Sequence, residues 1–153
     1  MSDGKLRYFF EPRSVAVLGA SRQTRKFGHT IFKNFVRSGY HGKVYPINPS
    51  ADEILGHKVY PSLADVPGPV DLAVIAIPAP LVTQAFHECI EKGVKAVVVI
   101  SGGFKEAGPE GIKRETELTR LAEESGVRLI GPNCIGVFDP RSHVDTLFLP
   151  SYR

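Results

Sequence analysis

The sequence predicts an α/β fold: a doubly wound parallel sheet of about five strands, with helices on both faces. Three observations carry that expectation. Short β-rich runs alternate with helix-patterned segments along the chain, which calls for right-handed βαβ units and a parallel sheet. The strand runs are apolar almost throughout, so both sides of the sheet must be covered. The length of 153 residues fits one domain and suffices for a real hydrophobic core.

The run SVAVL at residues 14–18 is the first strand. A helix follows over 28–38, with Ile31, Phe32, Phe35 and Val36 on one face and Gly39 as its stop. KVYPI at 43–47 is the second strand; its proline suits a strand end better than a middle. Residues 48–67 read as irregular, with a short strand at 58–60 and a single helical turn opening at Ser62. DLAVIAI at 71–77 is the third strand. A helix over 80–92 then turns Leu81, Phe86 and Ile90 inward, and Gly93 ends it. AVVVI at 96–100 is the most β-like run of the chain. The longest helix, 109–125, has Pro109 at its first position and Gly126 as its cap. VRLI at 127–130 is the fifth strand, followed at once by GPNCIG. The tail from Arg141 holds apolar residues but no element to complete. That pattern is expected at a boundary inside a longer protein, and it also suits a short extended tail packed on the domain. Residues 1–150 are read as the domain and 151–153 as the start of a linker.

Composition narrows the function. Apolar residues make up 42% and charged residues 23%, ordinary values for a globular chain. The net charge is +3 with the basic residues scattered, which argues against nucleic acid as a partner but not against a small polyanion at one site. No apolar run approaches the ~18 residues of a membrane span, and the N-terminus lacks the apolar core of a signal peptide. Cys89 and Cys134 form no disulfide framework and have no metal-ligand spacing. A cytoplasmic protein is expected.

In an open parallel sheet, ligands bind beyond the carboxyl ends of the strands, where strand order reverses. The candidate site is therefore the set of loops after the strands: Gly19, Ala20, Ser21 and Arg22 with Arg25, Lys26 and Gly28 after the first, then Asn48-Pro49-Ser50, Pro78-Ala79-Pro80, Ser101-Gly102-Gly103-Phe104 and Gly131-Pro132-Asn133-Cys134. Loops of glycine, proline and small polar residues leave backbone amides bare. A diphosphate at the start of the first helix would meet N–H groups and the positive end of the helix dipole.

The loop fits neither standard phosphate motif. A P-loop needs a lysine after its last glycine, whereas residues 28–30 are Gly-His-Thr. An NAD site needs GxGxxG and an acid after the second strand; this strand ends at Asn48, and Asp52 and Glu53 come late. NADP remains open, because Arg22 or Arg25 suits a 2′-phosphate. Coenzyme A, with a diphosphate and a ribose 3′-phosphate, suits the same basic loop.

Several stretches in fixed order carry a resemblance: FFEPRSVAVLGAS, GKVYPINPSADEILGHKVYPSLADVP, VDLAVIAIPAP, VISGGFKEAG and RLIGPNCIGV. Over residues 8–150 the chain resembles the coenzyme A-binding, Rossmann-like domain of NDP-forming acyl-CoA synthetases. The similarity is to the alpha subunit of ADP-forming acetyl-CoA synthetase and, more distantly, to that of succinyl-CoA synthetase. The resemblance implies that residues 21–28, with Lys26, Phe27 and Gly28 at the helix start, hold the phosphates of coenzyme A. It places Asn48 and Pro49 near the adenosine, and Ile77, Pro78 and Ala79 along the ligand. Ser101, Gly102 and Gly103 line the path to the thiol, with Asn133 and Cys134 at that end. It also implies partners in the same enzyme: a phosphohistidine domain and an ATP-grasp unit. None of the five histidines lies in the family's phosphohistidine motif, so this chain is expected to bind the coenzyme without completing the reaction. The family's lysine after Asn-Pro is Ser50 here, which leaves that contact to Arg22 or Arg25. A stand-alone, non-catalytic coenzyme A-binding module and an NADP-dependent oxidoreductase domain are the alternatives.

Other conspicuous residues have plainer readings. Cys134 has no neighbouring base in the sequence and reads as inert; Cys89 reads as core. His29 is read as touching a phosphate or as a surface or capping residue. Glu106, Glu115 and Glu117 read as solvated helix charges. Phe104 reads as a loop anchor, and Phe9 and Phe10 as packing the leader onto the sheet.

Overall fold

The computed structural model describes residues 4–149; the linker expected at 151–153 lies outside them. Labelling only the strands of the main sheet, the chain forms β1 (Ser14–Leu18), α1 (Phe27–Arg37), β2 (Lys43–Ile47), β3 (Leu72–Ile75), α2 (Ala79–Lys92), β4 (Ala96–Val99), α3 (Pro109–Ser125) and β5 (Arg128–Ile130). The five strands lie in the order β2-β1-β3-β4-β5, all parallel. The order reverses between β1 and β3, so the ligand-binding crevice of such a sheet opens above that pair.

The apolar strand runs bury both their faces, as a sheet covered on two sides requires. On one face Ala16, Ala73, Ile75, Val97 and Val99 meet Val82, Phe86 and Cys89 of α2 and Leu118 and Leu121 of α3. On the other, Val15, Val17, Val74 and Val98 meet Ile31, Phe32 and Phe35 of α1. Each fully buried side chain of that size contributes roughly 1.5–3 kcal/mol relative to exposure. Phe32 is wholly buried, and truncating it to alanine would cost about 3–5 kcal/mol.

Among the described residues, α1 is the one α-helix on the second face. The rest of it is covered by Phe9, from the 3-10 turn Gly4–Phe9, and by Val137 and Val144. The tail thus does build an element, contrary to expectation: Phe138–Asp139 and Val144–Asp145 pair as a small antiparallel hairpin. Three further expectations are corrected. Val36 and Leu81 are exposed, because the inward stripe of α1 runs through Gly28, Ile31, Phe32 and Phe35 and that of α2 through Val82, Ala85, Phe86 and Cys89. Phe10 is exposed and only Phe9 is buried.

Helix ends follow local chemistry. Gly93 and Gly126 cap α2 and α3 in the left-handed conformation, where glycine pays no steric penalty. Pro46 sits inside β2, but β2 is an edge strand, where a missing donor is tolerated. After β2, Glu53–Ile54 and His57–Lys58 form a hairpin, Tyr60 bridges to Ile47, and Ser62 and Asp65 box the turn Leu63–Asp65.

Candidate functional site

The loop between β1 and α1 is built on a backbone crossing. A Cβ on Gly28 would stand 1.8 Å from the Gly19 carbonyl oxygen, and one on Gly19 would stand 2.2 Å from the Ala76 oxygen. Only glycines allow the end of β1, the start of α1 and the end of β3 to approach this closely. The same contact brings Gly19 against Ile77, whose Cγ2 a Cβ would meet at 2.9 Å.

Side chains then fix the loop from below and from the flank. His29 is buried, and its Nδ1 donates to the Ser21 carbonyl at 2.7 Å. This is neither of the roles expected of it: the imidazole braces the loop from inside. Ser21 Oγ accepts from the Gln23 amide at 3.0 Å. Asn48 donates through Nδ2 to the Ala20 carbonyl at 2.8 Å and accepts at Oδ1 from the Ser50 amide at 2.7 Å. The loops after β1 and β2 are thereby tied together, with exposed Pro49 between these contacts. Arg22 Nε donates to the Glu53 carbonyl at 2.9 Å, which ties the loop after β1 to the segment that follows β2.

The first turn of α1 is left open. Its N-cap, Lys26, supplies no side-chain acceptor. The amides of Phe27 and Gly28 have no acceptor among the described residues, and neither have the side-chain cations of Arg25 and Lys26. Orphan donors at a helix start, with two exposed cations beside them, form an anion cradle.

The remaining loops are knitted into the other wall. Ser101 Oγ donates to the Ile77 carbonyl and accepts from the Ile77 amide at 3.2 Å. The Asn133 amide donates to the Ser101 carbonyl at 3.0 Å, and Asn133 takes positive φ. Pro78 caps α2, and a Cβ on Gly103 would lie 2.8 Å from that of Ala79. Gly102 faces the Asn133 side chain. Cys134 Sγ donates to the Val99 carbonyl at 3.3 Å, and burial pushes its pKa up. A thiol held so stays protonated at neutral pH, which lowers its reactivity.

The structure brings the loops after the strands together at one edge of the sheet: Gly19 lies against Ile77, Asn48 is tied to Ala20, Ser101 joins Ile77 to Asn133, and Gly103 lies against Ala79. Ala20 and Gly28 are themselves buried.

One expectation about this crevice fails. The amides of Gly103 and Phe104 are not bare: Glu106 Oε1 accepts from both, at 3.1 Å from Phe104. These bonds hold the Glu106 carboxyl below the usual carboxylate range. Glu106 is a loop clamp rather than a solvated charge. Glu115 is likewise no free charge, since its Oε2 accepts from the Lys105 amide at 3.0 Å. Phe104 is fully buried, an anchor as expected, and α3 passes over it at Gly111, where a Cβ would stand 1.7 Å from the Phe104 oxygen. A glycine inside an amphipathic helix was the available signal for this close approach.

Sheet order, switch-point loops and the open α1 turn define a doubly wound domain of the kind that receives a phosphate-bearing coenzyme. The chain belongs to the CoA binding domain family, whose model matches residues 13–140. It is 46% identical over 144 residues to the alpha subunit of the ADP-forming acetate–CoA ligase II of Pyrococcus furiosus, covering 94% of this chain and 31% of that one. Its backbone is similar, at a TM-score of 0.90 and 43% identity, to the dinucleotide forming acetyl-coenzyme A synthetase 1 of Ca. Korarchaeum cryptofilum in complex with phosphate and ADP, covering 95% of this chain and 31% of that one. A conserved hypothetical protein of P. furiosus matches at a TM-score of 0.63 and 32% identity, covering 76% of this chain and 90% of that one. The chain thus spans about a third of the ligases it resembles. Family membership decides between the two polyanions that the loop left open, in favour of coenzyme A. No helix among the described residues is long and apolar enough to cross a membrane.

Proposed function

We propose that the chain is the coenzyme A-holding domain of an ADP-forming acyl-CoA synthetase acting on acetate or a related acid. The diphosphate lies on the amides of Phe27 and Gly28, with Lys26 and Arg25 beside it. The adenosine rests by Asn48 and Pro49, where Arg22 takes the place of the family's lysine. The pantetheine arm passes Ile77, Pro78 and Ala79, and the thiol ends between Ser101, Gly102 and Gly103 on one side and Asn133 and Cys134 on the other.

The observation that carries this reading is the uncapped first turn of α1 at the point of strand-order reversal. Each charge-assisted bond from such an amide to a phosphate is worth about 1.5–3 kcal/mol. In this reading the residues of this chain bind and orient the coenzyme. Phosphoryl transfer belongs to a phosphohistidine domain and an ATP-grasp unit, which we take to be its partners.

Isothermal titration calorimetry tests the reading. Coenzyme A should bind with 1:1 stoichiometry, and dephospho-coenzyme A, which lacks the 3′-phosphate, more weakly. A folded domain that takes up no coenzyme A would end it. A stand-alone binding module is the second reading, supported by the P. furiosus protein that this chain matches over 90% of its length. The two separate on acyl-CoA synthesis by the full-length protein with ATP and acetate, which a bare module does not perform.

A further inference from the structure

One stripe of α1 meets the tail as well as the sheet. Phe27, Ile31, Asn34 and Ser38 recur at helical spacing, and three of them hold the tail along the helix. Ser38 Oγ donates to the His143 carbonyl at 2.8 Å, and the buried Asn34 donates to the Leu147 carbonyl at 2.8 Å. At the helix start the ring of Phe27 stacks on that of Phe148, centroids 4.4 Å apart and planes inclined by 29°. The tail is firmly seated below this point. Val144 and Thr146 are fully buried, and Thr146 Oγ1 accepts from the Val137 amide at 2.6 Å.

Phe27 is nevertheless 52% exposed. Phe148 covers one ring face, so the exposed half is mainly the other face and the rim. Its direction is set by its neighbours. Phe32 marks the β2 side of α1, where it meets His57 at 5.5 Å. Val137 and Val144 of the tail pack in the same cluster as Val74 and Val98 of β3 and β4, and Phe148 and Cys134 both pack against that cluster. The stacked pair therefore stands at the open first turn of α1, with Phe148 on the cluster that Cys134 also joins.

We infer that the Phe27–Phe148 pair is the apolar wall against which the pantetheine arm of coenzyme A lies, which makes the tail part of the ligand site. This rests on the proposed coenzyme A site. A gem-dimethyl carbon is the apolar feature of that arm, and a half-exposed ring backed by a second ring is a rigid surface for it.

The test compares two ligands on the full domain: coenzyme A, and adenosine 3′-phosphate 5′-diphosphate, which keeps the phosphates and base but has no arm. Phe148→Ala should weaken coenzyme A about four- to fifteenfold, the loss expected for one or two methyl-sized apolar contacts, and leave the armless ligand within twofold. Unchanged coenzyme A affinity would overturn the inference, and so would equal losses for both ligands, which mark a general displacement of α1. A wild-type domain that binds neither ligand would instead refute the site itself. If Phe148→Ala does not fold, NOEs on the wild-type complex decide: cross-peaks from the gem-dimethyl protons to the Phe27 and Phe148 rings support the wall, and their absence in a saturated complex excludes it.

Discussion

Gly28 faces the carbonyl of Gly19 across a gap with no room for a side-chain carbon; a Cβ there would sit 1.8 Å from the oxygen. This contact sets the height of α1 above β1, and with it the position of the first-turn amides. Gly28→Ala must push the helix away. We expect it to cost about 1–3 kcal/mol of stability, read by urea unfolding, and to weaken coenzyme A in the fraction that stays folded. Wild-type stability would mean that the crossing is looser than described.

Lys26 is exposed and its ammonium has no partner among the described residues, so Lys26→Glu should leave stability within about 0.5 kcal/mol. Its effect belongs to the ligand. Calorimetry should show coenzyme A binding reduced about ten- to hundredfold, with a shallower salt dependence than the wild type. Equal affinity would place the phosphates elsewhere.

Glu106 ties the loop after β4 through the Gly103 and Phe104 amides, and its pKa is depressed below the ordinary 4.5. A depressed carboxylate contributes in full above its unfolded value and is lost as pH falls through its folded one. The Gly103 and Phe104 amide resonances should therefore hold steady near neutral pH and titrate only in acid, with a midpoint below the 4.5 of an ordinary glutamate. In Glu106→Gln the same resonances should not titrate. Titration of both amides near pH 7, or none in acid, would contradict the clamp.

Both thiols are held protonated. Burial, with Glu88 adding to it, pushes Cys89 up to about 12, and burial raises Cys134 as well. At pH 8 iodoacetamide should leave Cys89 untouched and label Cys134 more slowly than a free cysteine, while both react on unfolding. Coenzyme A should slow Cys134 further. Rapid labelling of Cys134 would revive a reactive thiol.

The layered fold was legible because its signals are local. SVAVL and AVVV are strand runs that the sheet buries completely, and Gly93 and Gly126 end helices by a conformation that few other residues accept. The gathering of the loops at one edge of the sheet was legible once strand order was assumed, since each loop follows its strand directly. What stayed hidden depends on distant partners. The tail hairpin has strands of two residues, and Ser38 and Asn34 hold the tail from 105 and 113 positions away. Glu106 looks in sequence like any exposed acid, and only the fold of the loop shows it accepting two amides. The inward faces of α1 and α2 were misjudged at Val36 and Leu81, where an apolar residue flanks the buried stripe rather than joining it.

The central claim is that coenzyme A lies on the open first turn of α1, and amide chemical shifts measured during a coenzyme A titration test it residue by residue. The account predicts the largest changes at Phe27 and Gly28, smaller ones at Asn48, Ile77 and Asn133, and none on the outer face of α3. Saturable binding that leaves Phe27 and Gly28 unmoved and shifts another surface would contradict it.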